Sequence, residues 1–377
     1  MFIRGVGMTK FGFQEDSSQD MIYGSVMEAL DDGKIPMQEI DAVVVSSIEV
    51  MSNGDRQKHT ASMISSLLQI KAPILDVPAG CAGGGTALWT AIKLLKNSSY
   101  KNILVIGFDK IVATTTRIVT DEILRGGEHI YEQTEGMIFP AQNALVAQQY
   151  MMKYGATTDD FALVAYKNHQ NAFLNPKARF YRKKITMEEI KNSPVVASPL
   201  RLFDCSISCN GASSLVLSKE PSDIEIIGSA EISDYLSPFE REEMTSLEST
   251  KKAAELAFKE ANVTPSQIDI AEIHDAFTPL EIISYEDLGF CNPGEGKELI
   301  RNGTTKIDGK LPVNTSGGLK AKGHPISPTG IAQIYEIVKQ MRGLAGARQI
   351  KTPKIGLAHN LGGVGSVAAV HILKNLN

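Results

Sequence analysis

Residues 102–107, NILVIG, are a continuous apolar run, which is typical of a strand that is buried on both faces of a sheet. A second run, AVVV at residues 42–45, is rich in β-branched side chains and predicts another strand of this kind. Amphipathic stretches such as residues 20–30, 86–95 and 330–341 predict helices. Because predicted strands alternate with predicted helices along the chain, the sequence indicates an α/β architecture.

A helix, loop and strand pattern occurs twice in the chain. DGKIPMQEID at residues 32–41 aligns without a gap with EANVTPSQID at residues 260–269, and each segment follows an amphipathic helix and precedes a strand. The sequence therefore predicts two similar halves, residues 1–220 and 221–377, with chance similarity of two helix–loop–strand units as the alternative. Residues from about 112 to 200 have no counterpart in the second half, so we interpret them as an insertion into the first.

Composition limits the classes of protein to which the chain can belong. Its 377 residues are 43% hydrophobic and 21% charged, which predicts a well-buried core and argues against disorder. A net charge of −5 argues against nucleic-acid binding as the main role. No apolar run reaches the ~18 residues of a transmembrane helix, and the N-terminus reaches Gly5 too early for a signal peptide. We therefore expect a cytoplasmic protein that does not act at a membrane.

The cysteines and histidines give little support to a metal site. The four cysteines include no Cys-x-x-Cys pair, and the seven histidines are scattered. Four cysteines in a chain of this length also make a poor disulfide framework, which fits a reducing compartment. We expect no metal, and we expect that a free cysteine is available as a nucleophile.

Cys81 lies in the glycine-rich turn GCAGGG, residues 80–85, directly before a predicted helix. Unpaired N–H groups and the positive end of the helix dipole stabilise a thiolate there, so we expect the pKa of the thiol to fall below its usual ~8.5. The same N–H groups can hold an oxyanion. The glycines indicate that the backbone approaches another element closely. The alternative is a small buried residue in a tight turn.

His324 lies in KGHP, residues 322–325, just before the helix that is predicted from about residue 329. The start of a helix keeps an imidazole neutral, and a neutral imidazole suits the role of general base. The alternative is a loop histidine without a chemical role.

His274 and Asp275 follow a predicted strand that occupies the same place in the second half as residues 42–45 occupy in the first. Because ligands of α/β proteins bind at strand ends, His274 is a candidate site residue. Alternatively, both residues cap the next helix, which begins near Pro279.

A last glycine-rich stretch, HNLGGVG at residues 359–365, permits close backbone approach and can supply N–H donors. It does not match the Gly-x-Gly-x-x-Gly pattern of a dinucleotide-binding fold. The sequence also contains neither a P-loop nor the Gly-x-Ser-x-Gly motif of hydrolases.

In this order, the four motifs resemble those of the thiolase superfamily. The resemblance covers essentially the whole chain and is most specific at NTSGGLKAKGHP, residues 314–325. KNHQNA at residues 167–172 and PLRLFDCS at residues 199–206 are similar to the family's loop region. Within the superfamily, the chain is most similar to archaeal acetyl-CoA acetyltransferases and to sterol-carrier-protein-type thiolases.

The resemblance implies a thiolase-like α/β fold of two βαβαβαββ halves in a five-layered αβαβα arrangement, with a loop domain inserted in the first half. It also implies a homodimer or tetramer. The implied substrate is an acyl-CoA, and no cofactor is needed beyond this coenzyme A thioester.

The resemblance also implies residue roles. Cys81 is the acyl-accepting nucleophile, and His324 takes its proton. His274 and His324 together stabilise the thioester oxygen of a second acyl-CoA, and the N–H groups of Cys81 and Gly363 form another oxyanion hole. The implied reaction is that of an acetyl-CoA C-acetyltransferase, in which the enolate of a second acetyl-CoA attacks acetyl-Cys81 to give acetoacetyl-CoA.

One element of the family pattern is missing. Ala276 stands where sterol-carrier-protein-type members have the cysteine of a His-Asp-Cys-Phe motif. Counting back from the glycine loop places His359 where other thiolases have the cysteine of a Cys-x-Gly loop. We therefore hypothesise that His359 is the acid/base residue. A structural role of His359 is the alternative, and Cys205 and Cys209 are the other candidates.

Further expectations concern binding and partners. Arg182 and Lys183, in the inserted region, are candidate contacts of the CoA phosphates, with a solvated loop as the alternative. In archaeal relatives a small zinc-ribbon acyl-CoA-binding protein holds the thiolase with 3-hydroxy-3-methylglutaryl-CoA (HMG-CoA) synthase of the mevalonate pathway, and the resemblance implies the same partners here. Two alternative functions remain: a thiolase-like acyltransferase to another carbon acceptor, and a degenerate scaffold subunit of such a complex.

Overall fold

The structure is a computed structural model that describes every residue except 14, 49–56, 58 and 112–115. Residues 112–115, the first four of the predicted insertion, thus lie outside the described residues. The elements up to the end of the first half are β1 (Phe2–Met8), α1 (Ser18–Gly33), β2 (Ala42–Ser46), α2 (Thr60–Leu68), β3 (Ile74–Asp76), α3 (Gly83–Lys96), β4 (Asn102–Asp109), α4 (Thr116–Leu124), α5 (Phe139–Tyr154), α6 (Thr158–Phe173), α7 (Met187–Lys191), β5 (Val195–Ala197), β6 (Leu200–Arg201) and β7 (Gly211–Ser218).

The second half begins at the next strand. Its elements are β8 (Ile224–Ser233), α8 (Glu248–Ala261), β9 (Ile270–Ile273), α9 (Thr278–Asp287), α10 (Gly296–Arg301), α11 (Thr329–Met341), β10 (Ile355–Gly362) and β11 (Val367–Asn375). Among the described residues, no helix is both long enough and apolar enough to cross a membrane.

The large sheet has the strand order β3-β2-β4-β7-β1-β8-β11-β10-β9. Strands β1 and β8 join the two halves through a short antiparallel pairing of Phe2 with Glu225 and Ile3 with Ile224. Outward from this pair, the strands of the first half follow in the order β1, β7, β4, β2 and β3. Those of the second half follow in the corresponding order β8, β11, β10 and β9. The third strand of the second half is reduced to one parallel bridge between Ala271 and Val313. The predicted fold of two βαβαβαββ halves is therefore confirmed.

The two halves differ in the connection between their last two strands. In the second half, β10 leads into β11 through residues 363–366 alone. In the first half, the chain between β4 and β7 includes α4, α5, α6, α7 and the hairpin of β5 with β6. This long connection covers one end of the fold, at which the glycine loop between β10 and β11 also lies.

Both faces of the strands in the first half are covered by helices. On β2, the side chains of Val43 and Val45 belong to the same hydrophobic cluster as Ile22 of α1, whereas Val44 belongs to the cluster of Leu88 of α3. This burial on two faces explains why the runs at residues 42–45 and 102–107 are apolar without alternation. Helices α3 and α11 contact strands of both halves, and α8 covers the outer face of β8 and β11. The result is five layers, with α3 and α11 in the middle.

The two central helices touch through their backbones. A Cβ atom on Gly84 would lie 2.6 Å from the carbonyl oxygen of Ser327 and 2.9 Å from the amide nitrogen of Gly330. A Cβ atom on Gly330 would in turn lie 2.3 Å from the amide nitrogen of Gly85. Gly84 and Gly330 are therefore required by the helix crossing. The crossing lies at the N-terminal ends of α3 and α11, which brings the turn of Cys81 close to the loop of His324.

We predict that Gly84→Ala lowers the free energy of unfolding by about 1–3 kcal/mol, because the added methyl group meets backbone that cannot move independently. The matched control is Gly24→Ala in α1, where nothing lies within 4 Å of the position of a Cβ atom. That variant should raise stability by about 0.5–1 kcal/mol, since alanine favours a helix over glycine. Urea unfolding measures both, and equal shifts in the two variants would contradict the crossing.

Candidate active site

Cys81 lies in the turn of Gly80–Ala82 that runs into α3, and its side chain is half-buried. The backbone N–H groups of Gly363 and of Cys81 itself hydrogen-bond to its sulfur, and both lower the pKa of the thiol. Burial opposes them and dominates, so the pKa rises to about 12. The lowered pKa that the helix start predicted is therefore wrong. Cys81 rests as a thiol, and it needs a base to become a nucleophile.

His274 follows β9, and its ring is fully buried. Its Nδ1 accepts the backbone N–H of Leu361 at 3.2 Å, which places the proton on Nε2. Nε2 is buried and has no partner among the described residues. Because burial lowers its pKa well below the usual value, the ring is neutral. His274 thus presents an unused N–H donor.

His324 meets His274 edge to face, with the ring centroids 5.4 Å apart and an angle of 89° between the planes. Its Nδ1 is 2.8 Å from the hydroxyl of Thr329 at the start of α11, and its backbone N–H is bound by the carbonyl of Ile207. Burial, together with the charge of Lys322, lowers the pKa of His324 to about 3. Both imidazoles are therefore neutral near neutral pH, as expected for His324 from the sequence.

Asn360 connects the cysteine turn with His274. Its Nδ2 donates to the carbonyl oxygen of Cys81 at 2.9 Å and lies 3.2 Å from Nδ1 of His274. Its Oδ1 accepts the N–H of Gly85 at 2.9 Å. Sequence analysis missed this positioning role of Asn360. The available signal was its place one residue before Leu361-Gly362, where Asn-x-Gly matches the Cys-x-Gly spacing.

His359 does not join the site. Successive residues of β10 point to opposite faces of the sheet. Asn360 faces the central helices, so His359 faces α8, where its Nε2 is 3.0 Å from the hydroxyl of Thr250. The structure therefore does not bring His359 to Cys81, and the count that aligned it with the missing cysteine was one residue off.

Cys205 and Cys209 flank a segment that runs between the two histidine motifs. The N–H of Ser206 donates to the carbonyl oxygen of Ala276 at 2.8 Å, and Ser208 forms a parallel bridge with His324. The sulfur of Cys205 points to the carbonyl of Arg201, and that of Cys209 lies behind Gly323. Neither cysteine belongs to the described lining of the cavity at Cys81. Both cysteines pack in or behind the loops that contain His274 and His324.

The cavity at Cys81 has a volume of about 640 Å³. Its described charged lining residues are Asp76, Glu122 and Arg125, and its apolar lining includes Phe139 and Ile326. Arg182 and Lys183 are not in this described lining. Arg182 instead borders a separate cavity with Leu344 and Arg348, and Lys183 packs over the ring of Phe180. The structure thus does not bring these two predicted CoA contacts to Cys81, and it places Arg125 there.

Across the residues that the structure describes, no group of three or more His, Cys, Asp or Glu side chains has the arrangement of a metal site.

Two family models match the chain. The model of the thiolase N-terminal domain matches residues 1–213, and the thiolase C-terminal domain-like model matches residues 230–375. An acetyl-CoA acetyltransferase of Methanothermobacter thermautotrophicus is 39% identical over 98% of this chain and 97% of its own length. Human sterol carrier protein 2 is 31% identical over 99% of this chain and 72% of its own length.

Solved structures with a similar fold are also found. An Ltp2-ChsH2(DUF35) aldolase has a TM-score of 0.85 and 25% identity, and the match covers 99% of this chain and 97% of that chain. Human mitochondrial 3-ketoacyl-CoA thiolase has a TM-score of 0.74 and 14% identity, over 100% of this chain and 98% of that one, which is a likeness of fold alone.

The five-layered α/β fold, the matching thiolase models and the relatives named acetyl-CoA acetyltransferase together identify the protein as an acyltransferase. With both of its halves matched by the family's models, the chain belongs to the thiolase family.

We predict that Asn360→Ala slows acylation of Cys81 by about 10²-fold, because a displacement of ~1 Å in a positioned nucleophile has an effect of that size. His359→Gln is the matched control, because it retains a partner for Thr250 on the other face of the same strand. The acylation rate of this variant should stay within about threefold of the wild-type rate, which corresponds to a change of less than ~1 kcal/mol in the activation free energy. Intact mass measured against time of incubation with acetyl-CoA gives both rates. Slow acylation in the His359 variant together with a normal rate in the Asn360 variant would show that His359, and not Asn360, belongs to the site.

Proposed function

We propose that the protein is an acetyl-CoA C-acetyltransferase that joins two molecules of acetyl-CoA through an acyl-enzyme on Cys81. The observation that carries this proposal is the pair of N–H groups, from Cys81 and Gly363, at the sulfur of a cysteine whose carbonyl oxygen is linked through Asn360 to the ring of His274. The relatives named acetyl-CoA acetyltransferase support acetyl-CoA as the substrate.

In the first half-reaction, the sulfur of Cys81 attacks the thioester carbon of acetyl-CoA. His324 takes the thiol proton, and the N–H groups of Cys81 and Gly363 hold the oxyanion. The bond between the acetyl carbon and the sulfur of CoA then breaks, and the proton leaves with CoA. A base is needed because burial keeps Cys81 as a thiol.

In the second half-reaction, a proton leaves the methyl carbon of another acetyl-CoA. The Nε2–H of His274 is suited to stabilise its thioester oxygen as the enolate forms, because this donor is buried and unused. The enolate carbon bonds to the acetyl carbon, and the sulfur of Cys81 leaves and recovers a proton. With Ala276 and Asn360 where the family has cysteines, we assign the deprotonation to His324.

A second candidate function has a specific observation in its favour. Burial lowers the pKa of His324 to about 3, so this imidazole is a weak base for a carbon acid. An acyltransferase that passes the acetyl group to a more acidic carbon acceptor must still remove a proton from that carbon, but a weaker base is sufficient for it. A scaffold subunit without activity is disfavoured, since Cys81, His274 and His324 are all present and lie together.

Coenzyme A thioesters supply the reacting groups in this proposal, so no cofactor takes part. We also propose a cytoplasmic homodimer or tetramer of the mevalonate pathway that associates with HMG-CoA synthase and a small zinc-ribbon acyl-CoA-binding protein. A structural neighbour solved as a complex with a DUF35 partner supports such an association. Affinity purification from the native cell should return these partners, and recovery of the homo-oligomer alone would exclude them.

The test of the function is incubation with acetyl-CoA, followed by intact mass, peptide mapping and an assay for acetoacetyl-CoA. The wild type should gain one acetyl group on Cys81 and then form acetoacetyl-CoA. Cys81→Ala should do neither, whereas the matched control Cys205→Ala should do both. An acetyl group found on Cys205 or Cys291 instead would show that Cys81 is not the nucleophile. Acetylation without condensation would favour the second candidate function.

A further inference from the structure

Asp109 ends β4 next to the Cys81 cavity, and the chemistry described above does not use it. Its side chain is 2% exposed. Oδ1 accepts the hydroxyl of Ser47 at 2.8 Å and the N–H of Ile48 at 2.9 Å, and Oδ2 accepts the N–H of Ser327 at 2.8 Å. One carboxylate therefore ties the end of β2 and the end of β4 to the loop that leads from His324 to α11.

The residues that Asp109 binds belong to the wall of the catalytic cavity. Ser47 and Ile48 line it, and so does Ile326, which directly precedes Ser327. Ile326 has a φ of 66°, a conformation that is unfavourable for a β-branched side chain and persists only where its surroundings impose it. The bond from Ser327 to Asp109 is one such external constraint. Ser327 lies three residues after His324, so this bond holds the loop to which the imidazole belongs.

We propose that Asp109 is a positioning residue of this acyltransferase: it fastens the loop of His324 to the end of β2, and its negative charge opposes that of a Cys81 thiolate. The inference rests on the proposed role of Cys81 as nucleophile. Its consequence is that the thiolate forms only when a base takes the proton in the reaction, which restricts the reactivity of free Cys81 toward other electrophiles.

The electrostatics of the site agree with this role. The charge of Asp109 contributes to the raised pKa of Cys81, after burial. Burial raises the pKa of Asp109 itself to about 7, although three donors face its oxygens. Asp109 is therefore largely protonated below pH 7 and charged above it. As the pH rises through 7, the growing negative charge makes it harder for Cys81 to lose its proton.

The two histidines of the candidate site do not titrate together with Asp109, and three further charged groups line the Cys81 cavity. His274 and His324 stay neutral near pH 7, because burial lowers the pKa of each. Asp76, at the end of β3, and Glu122 and Arg125, from α4 and the turn after it, line the same cavity. Asp76 is exposed to solvent, so its charge is screened. It supplies a matched carboxylate control.

The test is the rate at which iodoacetamide alkylates Cys81 between pH 5.5 and 9.5, followed by peptide mass. Asp109→Asn should shift the profile to lower pH by about one unit, the usual effect of removing a nearby like charge. Asp76→Asn should shift it by much less. An unchanged Asp109→Asn profile, or an equal shift in both variants, would overturn the proposal. Acetylation by acetyl-CoA should still be about tenfold slower in Asp109→Asn, since the loop of His324 loses a hydrogen bond.

The wild type provides a second test that does not depend on the folding of a variant. Below its pKa, a lone thiol becomes tenfold more reactive with each pH unit. In the wild type, a plot of the logarithm of the alkylation rate against pH should have a slope below one around pH 7, where Asp109 becomes charged. A slope of one throughout would overturn the proposal. Iodoacetamide contains no thioester, so the alkylation result stands even if acetyl-CoA fails to label Cys81, which would refute only the proposed function.

Discussion

The backbones of α3 and α11 are in direct contact at Gly84 and Gly330, and the geometry of the site depends on this contact. Cys81 lies in the turn immediately before α3, and His324 lies in the loop immediately before α11. Because the helices cross at their first turns, two motifs more than two hundred residues apart share one cavity region. A side chain at the crossing would separate the helices and with them the two motifs, which explains why residue 84 is a glycine.

Burial is the second constraint, and it keeps the reactive groups uncharged. It raises the pKa of Cys81 and lowers those of His274 and His324, so the resting site contains a thiol and two neutral imidazoles. Neutral imidazoles serve as an acceptor of one proton and a donor of one hydrogen bond. In the proposed mechanism, the backbone N–H groups at the sulfur provide the main stabilisation of negative charge, and they do so without carrying a charge of their own.

The apolar runs and the repeat were sufficient for an α/β fold of two similar halves, because they reflect burial on two faces and a duplicated topology. The five-layered arrangement followed only from the resemblance to the thiolase superfamily. Motifs located Cys81, His274 and His324, each of which lies at the end of a strand or the start of a helix.

The choice between His359 and Asn360 could not be made from motifs, because adjacent strand residues face opposite sides of the sheet. Only the packing of α8 and α3 decides which of the two residues faces the candidate site. Asp109 has no motif, since its partners come from two segments that lie far from it in the chain. The pKa of Cys81 depends on burial, which its position at a helix start does not reveal.

The central claim is that Cys81 carries an acyl group between two thioesters. Exchange of isotopically labelled CoA into acetyl-CoA measures this half-reaction directly, with no carbon acceptor present and without regard to the base of the second step. We predict exchange in the wild type with ping-pong kinetics, and its loss in Cys81→Ser. Exchange that persists in Cys81→Ser, or a wild type that exchanges nothing, would contradict the account.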